Sequence, residues 1–502
     1  MIILKIRANM KKHLFLLTLF LAILMVGLGR PPQTNAQVLD TRWSQPYRLS
    51  SLEGSAGAPY IMADNFGYIH IFWIESGFSD ERTIIQYARF DGQTWSSPFD
   101  IYVTAPGGII LNLAPAVDKM GNLHLVWVEG ETGPIFYTTV AASEAMSVRN
   151  WTRPFRLEMA AYQTDIEVDS NGTLHMLYAE QSGPSQGLHY WNSQDGGYTW
   201  STPRRLDPDA PSNLQANTMQ LVLDEQENLH VVWTYIDLNI VGAAGTWVRY
   251  THSFDAGLTW LAPVTVDEAD ESPDELRMAF PAMTVSGRHI NVVYAGDAGV
   301  HREHRYSEDA GRTWGTTRQI FGELLGQARG DGLAMDGAGR VHFVGNIRWP
   351  TGLYHAYWDG EVWSDVELAY LIRLDSNDVA GERISAHDVR LAVRNGNQLV
   401  MAFGDEPAAP HRGLYVMQRI LADVPVQDSS PWPTPQPTAT LQPTTAPSSV
   451  ATAIPERPPF PTNLSFSSPA SQITKTLALG IVPIFFFLAL LLFFILRTFR
   501  PQ

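Results

Sequence analysis

The chain has no cysteine, so disulfides, thiolate metal sites and cysteine nucleophiles are excluded together. Basic residues are scarce: 35 Lys and Arg stand against 51 Asp and Glu, a formal net charge of −16. A surface that displaces counterions from nucleic acid needs the opposite balance, and no nucleic-acid partner is expected. What is plentiful is turn chemistry, with 33 prolines and 39 glycines in a 502-residue chain that is 45% hydrophobic. That is the composition of a folded body with many turns and few long helices.

Long charge-free apolar runs stand near the two ends. Lys5, Arg7, Lys11 and Lys12 precede a run from Leu14 to Leu28, and small residues end at Ala36, so residues 1–36 read as a signal peptide. Met10 offers a second start, and an uncleaved anchor is the alternative, for which the run is short. The stretch from Thr476 to Leu496 carries no charge and has the ~20 residues that cross a hydrocarbon core. Arg497 and Arg500 follow it, which keeps 497–502 in the cytoplasm and everything before 475 outside. Between body and membrane, 425–474 is rich in Pro, Thr and Ser, too poor in apolar residues to bury a core, and reads as an extended stalk. The expected organisation is signal peptide 1–36, body 37–424, stalk 425–474, membrane helix 475–496 and tail 497–502. Export together with absent cysteine suggests a bacterial cell surface.

The body repeats a two-part phrase. Its first part pairs two apolar strands through an Asp/Asn/Gly turn, as in "PAVDKMGNLHLVWVE" and "IEVDSNGTLHMLYAE". Its second part is a strand, a polar turn and a Trp-led strand, as in "HYWNSQDGGYTWSTPRRL". Four strands per repeat is the unit of a propeller blade. The Trp recurs at Trp43, Trp95, Trp151, Trp200, Trp260, Trp314 and Trp363. The last repeat, from about 386, has no Trp-led strand of its own, while "RWSQPYRLS" is a Trp-led strand with no blade before it. The orphan fits the vacancy. The fold class expected is therefore all-β, a seven-bladed β-propeller of four-stranded blades whose N-terminal strand closes the last blade, with six blades plus an extra sheet as the alternative.

Three copies of S-x-D-x-G-x-T-W stand in the body: Ser193, Asp195, Gly197, Thr199, Trp200; Ser253, Asp255, Gly257, Thr259, Trp260; and Ser307, Asp309, Gly311, Thr313, Trp314. Shorter forms keep Asp91 with Trp95 and Asp359 with Trp363. A carboxylate that accepts backbone N–H groups across a turn, a glycine in a conformation other residues resist and a buried indole are architectural devices. The phrase resembles the Asp-box of sialidases and related propellers, where it lies at the blade rims away from substrate. The recurrent His70, His124, His175, His230 and His342 read likewise as satisfied core residues, one per blade, rather than as ligands of a shared ion.

Chemistry is expected at the channel mouth, from loops between second and third strands and between blades. Second strands end in Glu75, Glu129, Glu180 and Asp297, candidate acid/base groups or simply solvated strand ends. Arg302, Arg348 and Arg412 are loop cations suited to ligands, and Tyr235, Trp247 and Trp349 are rings suited to sugar stacking or to packing. The resemblance to sialidases implies three arginines on a substrate carboxylate, a Tyr/Glu nucleophile pair and an Asp acid/base. The family's Phe/Tyr-Arg-Ile-Pro phrase is missing, since "PYRLS" with Tyr47 and Arg48 follows a repeat Trp as "RPFRL" does. No three arginines map onto the triad, and seven repeats depart from the six blades of sialidases. The acidic run 267–276 has no ordered calcium-ligand spacing, and no metal or cofactor is expected. The reading is a membrane-anchored surface propeller that binds a glycan or an extracellular protein, with an exo-glycosidase of sialidase type as the alternative.

Overall fold

The computed structural model describes residues 42–432, apart from 182–185, 238–244, 269–279, 297–300, 325–331, 349–350, 373–386 and 406–411. The predicted signal peptide, membrane helix and tail, and all but the first residues of the stalk, lie outside the described residues. No helix among those described is long and apolar enough to cross a membrane.

Among the described residues, twenty-eight strands form seven four-stranded antiparallel sheets. The chain enters at β1 (Tyr47–Arg48) and continues into blade 1 with β2 (Ser55–Ala63), β3 (Ile69–Ser76), β4 (Ile84–Phe90) and β5 (Phe99–Val103). Blade 2 is β6 (Ile110–Val117), β7 (Asn122–Glu129), β8 (Gly133–Ala141) and β9 (Phe155–Ala161). Blade 3 is β10 (Gln163–Val168), β11 (Leu174–Glu180), β12 (Gly187–Ser193) and β13 (Arg204–Arg205). Blade 4 is β14 (Leu214–Leu223), β15 (Leu229–Asp237), β16 (Gly245–Ser253) and β17 (Val264–Glu268). Blade 5 is β18 (Ala282–Ser286), β19 (His289–Gly296), β20 (His301–Ser307) and β21 (Arg318–Gln319). Blade 6 is β22 (Gly332–Met335), β23 (Val341–Arg348), β24 (Thr351–Trp358) and β25 (Glu367–Leu371). Blade 7 has β26 (His387–Arg394), β27 (Gln398–Asp405) and β28 (Gly413–Ile420), and its fourth strand is β1.

The predicted closure is therefore present. Tyr47 lies opposite Val416 and Arg48 opposite Tyr415, and Ser44 N and Leu49 N donate to Gln418 O and Leu414 O at 2.8 Å each. An unpaired edge on blade 7 is thereby covered by the start of the same chain. A second fastening lies at the C-terminal end, where residues that the sequence places in the stalk lie against the ring. Gln427 N donates to Asn395 O and Ser430 N to Asn65 O, both at 2.9 Å, and Trp432 stacks on Phe66 with centroids 4.8 Å apart.

Inside the blades, the recurrent histidines make one repeated contact. His70 Nδ1 lies 2.7 Å from the Tyr87 hydroxyl and its Nε2 lies 3.1 Å from Asp64 Oδ2. The same carboxylate accepts Phe66 N and Tyr68 N and so closes the first hairpin turn. Blades 2, 3 and 4 repeat it with His124 between Asp118 and Tyr137, His175 between Asp169 and Tyr190, and His230 between Asp224 and Tyr250. Each histidine is thus satisfied by side chains rather than by a backbone group. Burial holds His70, His175 and His230 below the ordinary imidazole range. Tyr137 is pushed up to about 12 by burial.

The tyrosine of one blade is the seat for the next blade's S-x-D-x-G-x-T-W hairpin. A Cβ on Gly197, Gly257 or Gly311 would stand 2.8, 2.0 or 2.1 Å from an atom of Tyr137, Tyr190 or Tyr250 respectively, so no other residue fits. The hairpin is held from within. Asp195 Oδ1 accepts Thr199 N at 2.8 Å, Ser193 Oγ accepts Gly197 N at 2.9 Å, and Trp200 Nε1 donates to Gly197 O at 3.0 Å. In the third copy the Thr313 N–H and hydroxyl hold Asp309 down at about 2.

Two losses follow from these contacts. Trp43→Ala empties a buried seat against His355 and is expected to lower unfolding stability by about 3–5 kcal/mol, measured by urea denaturation. Tyr190→Phe removes one hydroxyl and leaves His175 Nδ1 buried without its partner, an expected loss on the order of 1–3 kcal/mol by the same assay.

Candidate functional site at the channel

The first strand of every blade borders the central channel, and the register with the second strand sets the levels. At one level stand Tyr60, Ala114, Asp165, Gln220, Ala282, Gly332 and Arg390, each opposite the residue two beyond the recurrent-histidine position. The polar members come from blades 7, 1, 3 and 4, while blades 2, 5 and 6 contribute only Ala or Gly. The channel wall is therefore chemically lopsided.

Adjacent first strands are stitched by side chains. Asn112 Oδ1 accepts Thr164 N, Gln163 Oε1 accepts Thr218 N, Asp165 Oδ2 accepts Leu221 N and Gln220 Oε1 accepts Met283 N, at 2.7 to 2.8 Å. A first strand has no partner strand on its channel side, so alternate N–H groups there need side-chain acceptors. Several first strands also carry an extra residue, with register shifts at Ala56/Pro59, Ile110/Asn112, Asn217/Gln220 and His387/Arg390. Bulges free backbone groups and re-aim side chains. Two bulge residues, Thr218 at φ 38° and Asp388 at φ 53°, hold the left-handed conformation that non-glycine residues resist. Strain of this kind persists where surrounding structure enforces it, commonly at ligand sites.

Around Asp388 the charges gather. Arg412 Nη2 lies 3.2 Å from Asp388 Oδ2, and the Arg390 guanidinium lies 5.9 Å from the centre of the Tyr60 ring. Burial raises the Tyr60 phenol, Arg390 pulls it back, and Asp388 and Asp165 push it further up. One level deeper, the position of Glu167 is held in the other blades by Met62, Ala116, Val222, Thr284, Ala334 and Ala392. Burial, with Asp165 beside it, pushes Glu167 up to about 8. Asp165 is raised to about 7 by burial, against two backbone N–H groups that favour its charged form. A carboxyl that keeps its proton near neutrality donates a hydrogen bond, which an ordinary surface glutamate does not. At the far end the blades close in. Lys119 of blade 2 reaches Glu227 of blade 4 at 2.5 Å, and Ser170 of blade 3 donates to the same carboxylate.

The sequence-predicted residues lie elsewhere, dispersed over the blades. Glu75 is buried and takes the Ser51 hydroxyl at 2.6 Å, with burial raising it. Glu129 takes the Tyr102 hydroxyl of the preceding blade at 2.9 Å, and Glu180 ends β11 half-buried. Asp297 and Trp349 lie outside the described residues, as does the Arg348 side chain. Arg302 is buried in blade 5, its Nη1 3.3 Å from His301 O. Tyr235 is buried and donates to Asp207 at 3.1 Å. Trp247 donates to Glu268 at 2.7 Å with the Arg249 guanidinium 5.6 Å from its ring. Among the described candidates only Arg412 joins the channel cluster. Within the acidic run, Asp267 is taken by Tyr294 and Arg305, and no group of three metal-ligating side chains occurs among the described residues.

Sequence reading missed Tyr60, Asp165, Glu167, Asp388 and Arg390. A signal existed: aligned on the hairpin Asp, "TDIEV" places two acids where "LAPAV" has two alanines.

No protein-family model and no curated protein matches the sequence. Solved structures do resemble the fold. A family-25 polysaccharide lyase, an ulvan lyase bound to -[GlcA(1-4)Rha3S]-, is 11% identical over 76% of this chain and 98% of its own, with a TM-score of 0.51. The NanB sialidase of Streptococcus pneumoniae is 12% identical over 76% of this chain and 71% of its own, TM-score 0.41. A mutant Trypanosoma rangeli sialidase is 12% identical over 76% and 60%, TM-score 0.41.

The raised Glu167 makes a pH prediction. A carboxyl raised on folding binds its proton more tightly in the native state, so its stabilisation is full at pH 4 and lost as pH rises to about 8. The melting-temperature difference between wild type and Glu167→Gln should accordingly shift against wild type between pH 5 and pH 8.5. An unchanged difference would mean the carboxyl ionises normally. The described sheets form a β-propeller of seven blades, and the likeness to the ulvan lyase agrees with that fold.

Proposed function

We propose that the protein is a membrane-anchored, surface-displayed propeller that binds a glycan at the channel mouth. The carrying observation is the lopsided wall: an aromatic ring beside a guanidinium, strained acidic and hydroxyl residues at bulges, and only Ala or Gly at the same level in blades 2, 5 and 6. Rings with a few convergent polar groups are the chemistry of sugar sites. Support for a glycan over another ligand comes from the fold, which the ulvan lyase uses to hold a polysaccharide. Support for surface display comes from the terminal apolar runs and the Pro/Thr/Ser stretch. The protein's partners would then be a surface glycan and, through one helix, the membrane; an extracellular protein is the other class of ligand this reading admits.

A second reading, glycan cleavage by an exo-glycosidase or other glycan-active enzyme, is favoured by Asp165 and Glu167, whose raised values suit a general acid near neutral pH.

Glycan-array binding and turnover of fluorogenic sialosides and of uronate polysaccharides separate the two. The binding reading expects array signals that fall at least tenfold in Arg390→Ala and Tyr60→Ala, with no turnover by wild type. Turnover that disappears in Glu167→Gln would establish the enzyme instead, and array signals unaffected by either channel variant would reject the site.

A further inference from the structure

Across the ring, each Trp-led hairpin rests on the preceding blade at a fixed position of its third strand. That position holds Tyr87, Tyr137, Tyr190, Tyr250, His304 and His355 in blades 1 to 6, each paired to the residue two beyond the histidine position. The rings meet directly at most seams. Trp151 lies 6.2 Å from Tyr87, Trp260 4.9 Å from Tyr190, Trp314 5.4 Å from Tyr250, Trp363 5.2 Å from His304 and Trp43 5.7 Å from His355.

Blade 7 breaks the rule. Its equivalent of the tyrosine is Val416, paired to Ala402, and its equivalent of the histidine is Val400. The hairpin that should rest there, in blade 1, is the shortened "RFDGQTW", in which Phe90 bridges directly to Trp95. Both partners are cut back at the same seam. What remains is a cleft of about 410 Å³ between blades 7 and 1, in the size range of small-molecule sites, lined by Tyr47, Trp95, Val400 and Val416 with Gln93, Gln418 and other uncharged groups.

We propose that this seam cleft is a second ligand site, which takes a neutral sugar ring or a short neutral oligosaccharide. Its lining names the ligand class. Trp95 and the exposed Tyr47 offer aromatic faces for the C–H face of a pyranose, and Gln45, Gln93 and Gln418 offer amides. Gln418 is oriented in advance, its Oε1 held by Gln398 Nε2 at 2.7 Å. None of the lining residues is Asp, Glu, Lys, Arg or His, so nothing in the cleft compensates the charge of an anionic sugar. The cleft lies on the hairpin side of the ring, at the edge that β1 closes, and not at the channel mouth, so its test is separable from that of the channel.

The experiment uses the full chain in a sugar-free detergent and a panel of lactose, cellobiose, maltose and N,N′-diacetylchitobiose, with sialyllactose as the anionic counterpart, read by calorimetry and tryptophan fluorescence. At least one neutral disaccharide is expected to bind and to perturb the indole signal. Val416→Tyr, which restores the residue blades 1 to 4 carry, should abolish that binding, Tyr47→Ala should weaken it at least tenfold, and Arg390→Ala should leave it unchanged. If Val416→Tyr does not fold, Tyr47→Ala decides, because Tyr47 is 57% exposed and its loss leaves the core intact. No binding by any neutral member would overturn the proposal, as would binding that survives Tyr47→Ala or that Arg390→Ala removes.

Discussion

A buried carboxylate, imidazole and phenol stand in line in blades 1 to 4, and the phenol is the surface on which the next blade rests. The line ties three levels together. Its carboxylate closes the first hairpin turn, its imidazole fixes the second strand against the third, and its ring seats a neighbour's tryptophan or glycine. A hydrogen bond nets about 1 kcal/mol and an aromatic pair about 0.5–1.5 kcal/mol beyond burial. Repeated around a circle, such contacts make each blade depend on both neighbours, which is why a ring can be stable although no single sheet buries both faces alone.

Departures from the line locate what is particular to this protein. Blade 5 replaces the imidazole by Asn291 and moves it to His304, which holds Trp363 Nε1 at 3.1 Å. Blade 6 uses two imidazoles, His342 and His355, and draws Arg419 of blade 7 into the seam. Blade 7 has neither group. The junction that the N-terminal strand closes is therefore packed by aliphatic side chains in place of the tyrosine seat, and the tail through Trp432 crosses the same junction on the hairpin face.

The channel obeys a different logic. There the seven blades are alike in backbone and unlike in side chain, so that equivalent positions carry Tyr, Ala, Asp, Gln, Ala, Gly and Arg. A symmetric scaffold thereby presents an asymmetric wall, and asymmetry is what a ligand without sevenfold symmetry requires. The two raised carboxyls owe their state to this placement: the same "TDIEV" on an outer strand would be solvated and ionised.

Periodicity determined the blade count, the four-strand unit and the closure by Trp43's strand, because turn residues and tryptophans are local and recur. It also made the polar phrase legible as a self-contained turn, since a carboxylate bonding four residues ahead needs no distant partner. Tertiary structure alone decided the channel cluster. Tyr60, Asp165 and Arg390 belong to blades 1, 3 and 7 and meet only because a circle brings first strands together, which no spacing along the chain encodes. The seam cleft lies between these cases: Val400 and Val416 are visible as departures from the repeat, but that both face a shortened hairpin follows only from closing the ring.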